Sequence, residues 1–164
     1  MIGIPQIEPV GNFYSQQIVD LILPIQQIEF GVPITLADQP DLMDIENNYH
    51  ATGGNFWAAL HDEKVVGTIA LISIGDGKGV IRKMFVNKDF RGKEYGIAQN
   101  LLNGLIDFCK EKGIKDLYLG TVDILKAAIR FYERNGFVAV EKGNLPSTFP
   151  IMSADNVFYH LAIK

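Results

Sequence analysis

The first 63 residues contain no lysine and no arginine, yet they carry nine acids: Glu8, Asp20, Glu29, Asp38, Asp41, Asp44, Glu46, Asp62 and Glu63. All 15 basic residues fall in 64–164, against ten acids, so an acidic front meets a basic back in a chain of net charge −4. A net acidic chain argues against nucleic acid as a main partner. The sequence has one cysteine, Cys109, which excludes an internal disulfide; its place on the apolar face of an expected helix predicts a packed thiol. No apolar run reaches the roughly 18 residues that a membrane-spanning helix needs. No basic residue precedes the first apolar stretch, so a secretory signal is not expected and the cytoplasm is the expected compartment. With three histidines and no His-x-x-x-His or Cys/His cluster, no metal site is predicted. No repeat or linker divides the 164 residues, and a single domain over 1–164 is expected.

Local patterns give the order of elements. Gln6–Val10 reads as a short strand, and residues 15–30 as a helix spaced by Ile18, Leu21, Ile22, Ile25 and Ile28, with Pro24 set to kink it. Residues 40–51 read as a second helix. Runs at 56–61, 65–74 and 80–86, separated by turns at Asp62-Glu63 and Gly75–Gly79, predict an antiparallel meander. Ile97, Leu101, Leu105 and Cys109 recur at i, i+4 and predict a helix over about 95–112, ended by Gly113. A strand at 117–119, a helix over 124–134 capped by Asp123, and strands at 137–140 and 157–163 complete a mixed α/β sheet.

The most informative stretch is 82–98. A strand ends at Val86, a basic turn with Lys88, Arg91 and Lys93 follows, and the small residues Gly96 and Ala98 open a helix. Unobstructed backbone N–H groups at the positive end of a helix dipole make a polyanion site. No Gly-Lys-Ser/Thr follows, so this is not the phosphate loop of a nucleotide hydrolase.

Two segments together resemble the Gcn5-related N-acetyltransferase (GNAT) superfamily. Lys93-Glu-Tyr-Gly96-Ile-Ala98 matches its Arg/Gln-x-x-Gly-x-Gly/Ala loop, and Tyr132-Glu-Arg-Asn-Gly136-Phe137 matches its Tyr-Glu-Lys/Arg-x-Gly-Phe helix end; Val66-Gly-Thr68 also fits. The resemblance covers about 54–140. It implies an acyl-CoA N-acyltransferase fold, a mostly antiparallel sheet splayed at the cofactor site with helices on both faces. It implies acetyl transfer from acetyl-CoA to the primary amine of a small-molecule or peptide acceptor, in a ternary complex, with acetyl-CoA as co-substrate and no metal. By the same resemblance, backbone groups of Met84, Phe85 and Val86 hold the pantetheine arm. The loop of Arg91, Gly92, Lys93, Glu94, Tyr95, Gly96, Ile97 and Ala98 takes the pyrophosphate, and Tyr132 protonates the leaving thiolate.

Three departures stand out. Lys93 replaces the usual Arg/Gln, with Arg91 nearby as a substitute fork. Leu125 stands where many relatives have a cofactor-contacting Asn, and Val80 where some carry a catalytic Glu. Losing that Glu matters, because a lysine-like amine of pKa 10.4 is only about 0.04% neutral at pH 7, a cost of about 4.6 kcal/mol. Glu46, Tyr49 and His50, on the expected second helix, are the candidate acceptor-site residues, and the acidic front suggests a cationic acceptor. Residues 144–155 are expected to cover the acceptor side. The alternative reading is a non-catalytic acyl-CoA-binding regulatory module. Oligomeric state stays open, a homodimer included.

Overall fold

Why the meander buries both of its faces is visible in its central strand. The computed structural model describes residues 5–152 and 154–164. Its sheet comprises β1 (Gln6–Pro9), β2 (Asn55–His61), β3 (Lys64–Gly75), β4 (Lys78–Val86), β5 (Asp116–Thr121), β6 (Val138–Val140) and β7 (Val157–Ala162), in the order β1-β2-β3-β4-β5-β7-β6. Among the described residues, only the β4–β5 pair is parallel. Val65–Leu71 of β3 is continuously buried rather than alternating, because helices cover both sides.

On one side α3 (Ile97–Lys112) lays Leu101, Leu102, Leu105 and Cys109 against Ile69, Leu71 and Leu117, with Tyr132 of α4 (Lys126–Arg134) in the same cluster. Gly67 lets α3 approach, since a Cβ there would stand 2.9 Å from Ile97 Cγ2. On the other side α1 (Ser15–Pro24) and α2 (Ile45–Asn48) bury Ile18, Ile22, Ile45 and Tyr49 against Phe56 and Ala70. Cys109 is the packed thiol the sequence predicts, and burial pushes its pKa up to about 12.

Three local expectations need correction. The helix over 15–30 ends at Pro24 and continues as a wider π turn over Ile25–Glu29, with Phe30 N–H reaching Ile25 O at 3.1 Å. Proline supplies no N–H to the ladder, and the chain widens to find other partners. The helix over 40–51 is instead a succession of short turns, because Asp44 accepts from the Asn47 N–H and starts a new four-residue helix. Asp123 does not cap α4; Leu125 is its N-cap, without a side-chain bond, and the Asp123 N–H donates to Asn156 Oδ1 at 2.9 Å.

Candidate active site

The β4 strand carries the geometry of the site. It pairs with β5 only from Lys78 to Val80, after which the two strands part and the β5-facing edge of β4 has no strand beside it through Val86. On its other edge the register slips between Thr68 and Ala70: Phe85 opposes Thr68, and Arg82 opposes Ala70. This bulge holds Lys83 at φ +55°, in the left-handed region, and Thr68 Oγ1 pins it by donating to Lys83 O at 2.7 Å.

A cleft of about 180 Å³ fills the gap between the strands. One wall is Val80 to Phe85 of β4; the other is Leu119, Gly120 and Thr121 of β5, with Leu125, Ala128 and Tyr132 beyond. Gln26, Phe30, Val32, Ile34 and Gln39 close one end, and Phe149, Pro150, Met152, Ala154 and Asp155 cover another. Of the segment 144–155, expected to cover the acceptor side, these last five residues line the cleft; Ser153 lies outside the described residues.

The Tyr132 ring is 5% exposed and packs edge-on against Phe131 and Phe137, with centroids 5.6 and 5.4 Å away. Its hydroxyl has no protein hydrogen-bond partner among the described residues. Tyr132 lines the cleft. Burial pushes its pKa well above the ordinary tyrosine value, so the group is a protonated phenol at neutral pH.

Beyond Val86, whose carbonyl accepts from Arg91 Nε at 2.9 Å, the chain turns through Lys88–Phe90 and reaches Gly96. Gly96 is the N-cap of α3 at φ +60°, a conformation that glycine adopts without steric cost. The first helical bond is Asn100 N–H to Gly96 O, at 2.9 Å. The N–H groups of Ile97, Ala98 and Gln99 have no protein acceptor among the described residues, nor do those of Lys93 and Glu94. Gly92, Lys93 and Glu94 are exposed, and Tyr95 is half-buried against Phe90 with ring centroids 5.4 Å apart. Free donors at a helix start suit a multiply charged anion, and an open strand edge suits amide groups. The residues present thus fit both halves of the coenzyme A expectation.

The other side chains that the sequence singled out have partners within the fold. The Arg91 fork is already engaged, Nη2 on Glu29 Oε1 at 2.9 Å and Nη1 on Glu29 Oε2, so it is not a free substitute for the missing loop arginine. Glu46 lies on the surface and accepts from the Asn12 N–H at 2.9 Å, and His50 donates from Nε2 to Val10 O at 2.8 Å. Tyr49 is fully buried and donates to Asp41 Oδ2 at 2.5 Å, where Lys83 Nζ also stands at 3.7 Å. Burial and the Asp41 charge hold the Tyr49 phenol far above its usual range. None of the three lines the cleft, and the acids Asp41, Asp44 and Glu46 are committed to internal pairs and caps rather than to an acidic wall. His61 lies 3.5 Å from Asp62, and His160 2.8 Å from Asp116, both away from the cleft.

The charged residues that do line it are Arg82, Lys83 and Asp155. Their signal in the sequence is faint: two consecutive cations inside the apolar run Val80–Val86, and an acid in an irregular segment.

A sheet split between two parallel strands, an unpaired β4 edge, a donor-rich helix start and a phenol across the gap define an acyl-CoA N-acyltransferase fold. The chain belongs to the Acetyltransferase (GNAT) family, whose pattern matches residues 19–137. It is similar to a GNAT-family acetyltransferase structure from Staphylococcus aureus Mu50, with a TM-score of 0.93 and 41% identity, over 97% of this chain and 99% of that one. It is 32% identical over 123 residues to the probable N-acetyltransferase camello of Xenopus tropicalis, covering 73% of this chain and 55% of the relative. It is 39% identical over 99 residues to the N-acetylaspartate synthetase of Danio rerio, covering 59% of this chain and 34% of the relative. The chain thus spans about half, or less, of the curated relatives it matches.

Proposed function

We propose that this protein is an N-acetyltransferase that moves the acetyl group of acetyl-CoA to a primary amine by direct attack in a ternary complex. The observation that carries the reading is a set of three features: the unpaired β4 edge and Tyr132, which line one cleft, and the free N–H groups that open α3 beyond the end of that strand.

In this reading the backbone of Met84, Phe85 and Val86 pairs with the pantetheine amides as a further strand would. The N–H groups of Lys93, Glu94, Ile97 and Ala98 hold the pyrophosphate, and an N–H of the β4 edge faces the thioester oxygen and stabilises its developing charge. The acceptor nitrogen enters as a free amine and forms the C–N bond while the C–S bond breaks. Tyr132 gives its proton to the departing sulfur, and the proton lost from the new amide nitrogen restores the phenol. With the proton shed by the entering ammonium, one proton leaves to solvent per turnover. A tyrosine held protonated by burial is suited to the donor role and unsuited to that of base.

Free thiol release with acetyl-CoA and a broad panel of amines tests the function. Turnover of at least one amine supports it. Coenzyme A binding without turnover of any amine supports the regulatory module instead.

A further inference from the structure

A guanidinium and a carboxylate face the same cleft without closing on one another. Arg82 sits on the unpaired edge of β4, one residue before the bulge, and is half-buried. Its hydrogen bond runs from Nη2 to Met152 Sδ at 3.5 Å, a weak acceptor, and no carboxylate of the described residues lies within 4.0 Å of it. Lys83 beside it is mated, to Gln39 Oε1 and to Asp41.

Asp155 is the one carboxylate among the described lining residues, and no cation of the described residues pairs with it within 4.0 Å. Its side chain occupies the space that any Cβ on Gly120 would need, so glycine in β5 makes room for this acid at the fork of the sheet. Two partly desolvated, unmated charges of opposite sign are costly to hold apart in a cleft. The cost is offset when a ligand brings the complementary pair.

We infer that the acceptor is an amine with a carboxylate a few bonds from its nitrogen, an amino acid in the simplest case, with Arg82 forking the carboxylate and Asp155 taking the ammonium and then its proton. This rests on the transferase reading above. The planar guanidinium matches a carboxylate with two parallel hydrogen bonds, which an ammonium cannot do. Asp155, ionised, orients the ammonium, accepts one proton and passes it to solvent, leaving the neutral amine that attacks. A polyamine or a lysine side chain places a second cation against Arg82 and is disfavoured.

The test is calorimetric binding to the full chain loaded with coenzyme A, using a panel of L-amino acids and their C-terminal amides, with wild type, Arg82→Gln and Arg82→Lys. We expect at least one amino acid to bind tenfold or more tightly than its amide. Arg82→Gln brings that ratio to about one with coenzyme A affinity kept, and Arg82→Lys leaves an intermediate ratio. Should Arg82→Gln not fold, the wild-type ratio and Arg82→Lys decide. No binding by any member, equal binding of every acid and its amide, or an unaltered ratio in both variants overturns the inference. Asp155→Asn is expected to lower kcat at least tenfold at pH 7 while the binding ratio persists; an undiminished kcat removes Asp155. Turnover of simple amines without preference sinks this inference and leaves the transferase reading intact. Carboxylate-selective binding without turnover does the reverse.

Discussion

Thr68 Oγ1 donates a 2.7 Å hydrogen bond to the carbonyl of Lys83, the β4 residue held at φ +55°. Thr68 is fully buried in the middle of β3, so this bond anchors the bulge from inside the sheet. The bulge lies in the part of β4 that has already left β5. Thr68→Val keeps the shape and leaves that carbonyl without its partner, at a cost of about 1–3 kcal/mol. The expected result is a lower midpoint in chemical denaturation together with a raised KM for acetyl-CoA. A lowered midpoint with an unchanged KM separates the bulge from cofactor binding.

Gly96 can be separated from a glycine that does nothing. At φ +60° an added Cβ costs roughly 1–2 kcal/mol. Gly143 has neither a positive φ nor a neighbour within 4 Å of an added Cβ. Gly96→Ala is expected to destabilise and to weaken coenzyme A binding severalfold, while Gly143→Ala changes neither. Equal affinity for coenzyme A in the two variants contradicts the anion site at the start of α3.

Tyr132→Phe keeps the packing against Phe131 and Phe137 and removes the proton. The expected loss in kcat is at least tenfold, about 1.4 kcal/mol, with cofactor affinity retained. Because burial raises the Tyr132 pKa, the phenol stays protonated past pH 10, and the wild-type rate shows no alkaline loss from this group below that pH. A rate that falls with a midpoint near 9 in wild type, and not in Tyr132→Phe, contradicts the assignment.

Lys83 makes stability depend on pH. Burial pushes its pKa down from 10.5 to about 8, against the pull of Asp41. Between those values the unfolded chain holds a proton that the folded chain has released, so this group's contribution to stability rises with pH across the window. Lys83→Met abolishes the rise. The unfolding free energy of wild type minus that of the variant should increase from pH 8 to pH 9.5. A flat difference shows that Lys83 is not desolvated in the folded state.

Much of this was legible wherever the signal is local. The i, i+4 spacing from Ile97 to Cys109, the hairpin turn at Asp62-Glu63 and the tyrosine at the end of α4 all lie within short windows, and short windows report local structure well. The meander followed from the order of the elements, and the split in the sheet from the family resemblance. Residues 40–51 were misread because Asp44 restarts the chain, a competition between helix and cap that residue spacing does not settle. The charged lining of the cleft was hidden for a different reason. Glu46 and His50 are spent on backbone groups of residues 10–12, while Arg82, Lys83 and Asp155 converge from a bulge and a loop some 70 residues apart in sequence. No periodicity encodes that convergence. A pair of cations inside an apolar strand was its single visible trace.

Amide chemical shifts of the nitrogen-15-labelled protein, followed as coenzyme A is added, test the central claim most directly. The account predicts saturable shifts concentrated at 82–86 on β4 and at the Ile97, Ala98 and Gln99 amides, with the far strands β1 and β6 unmoved. Saturation without change at those amides, or no saturable change at millimolar ligand, contradicts it.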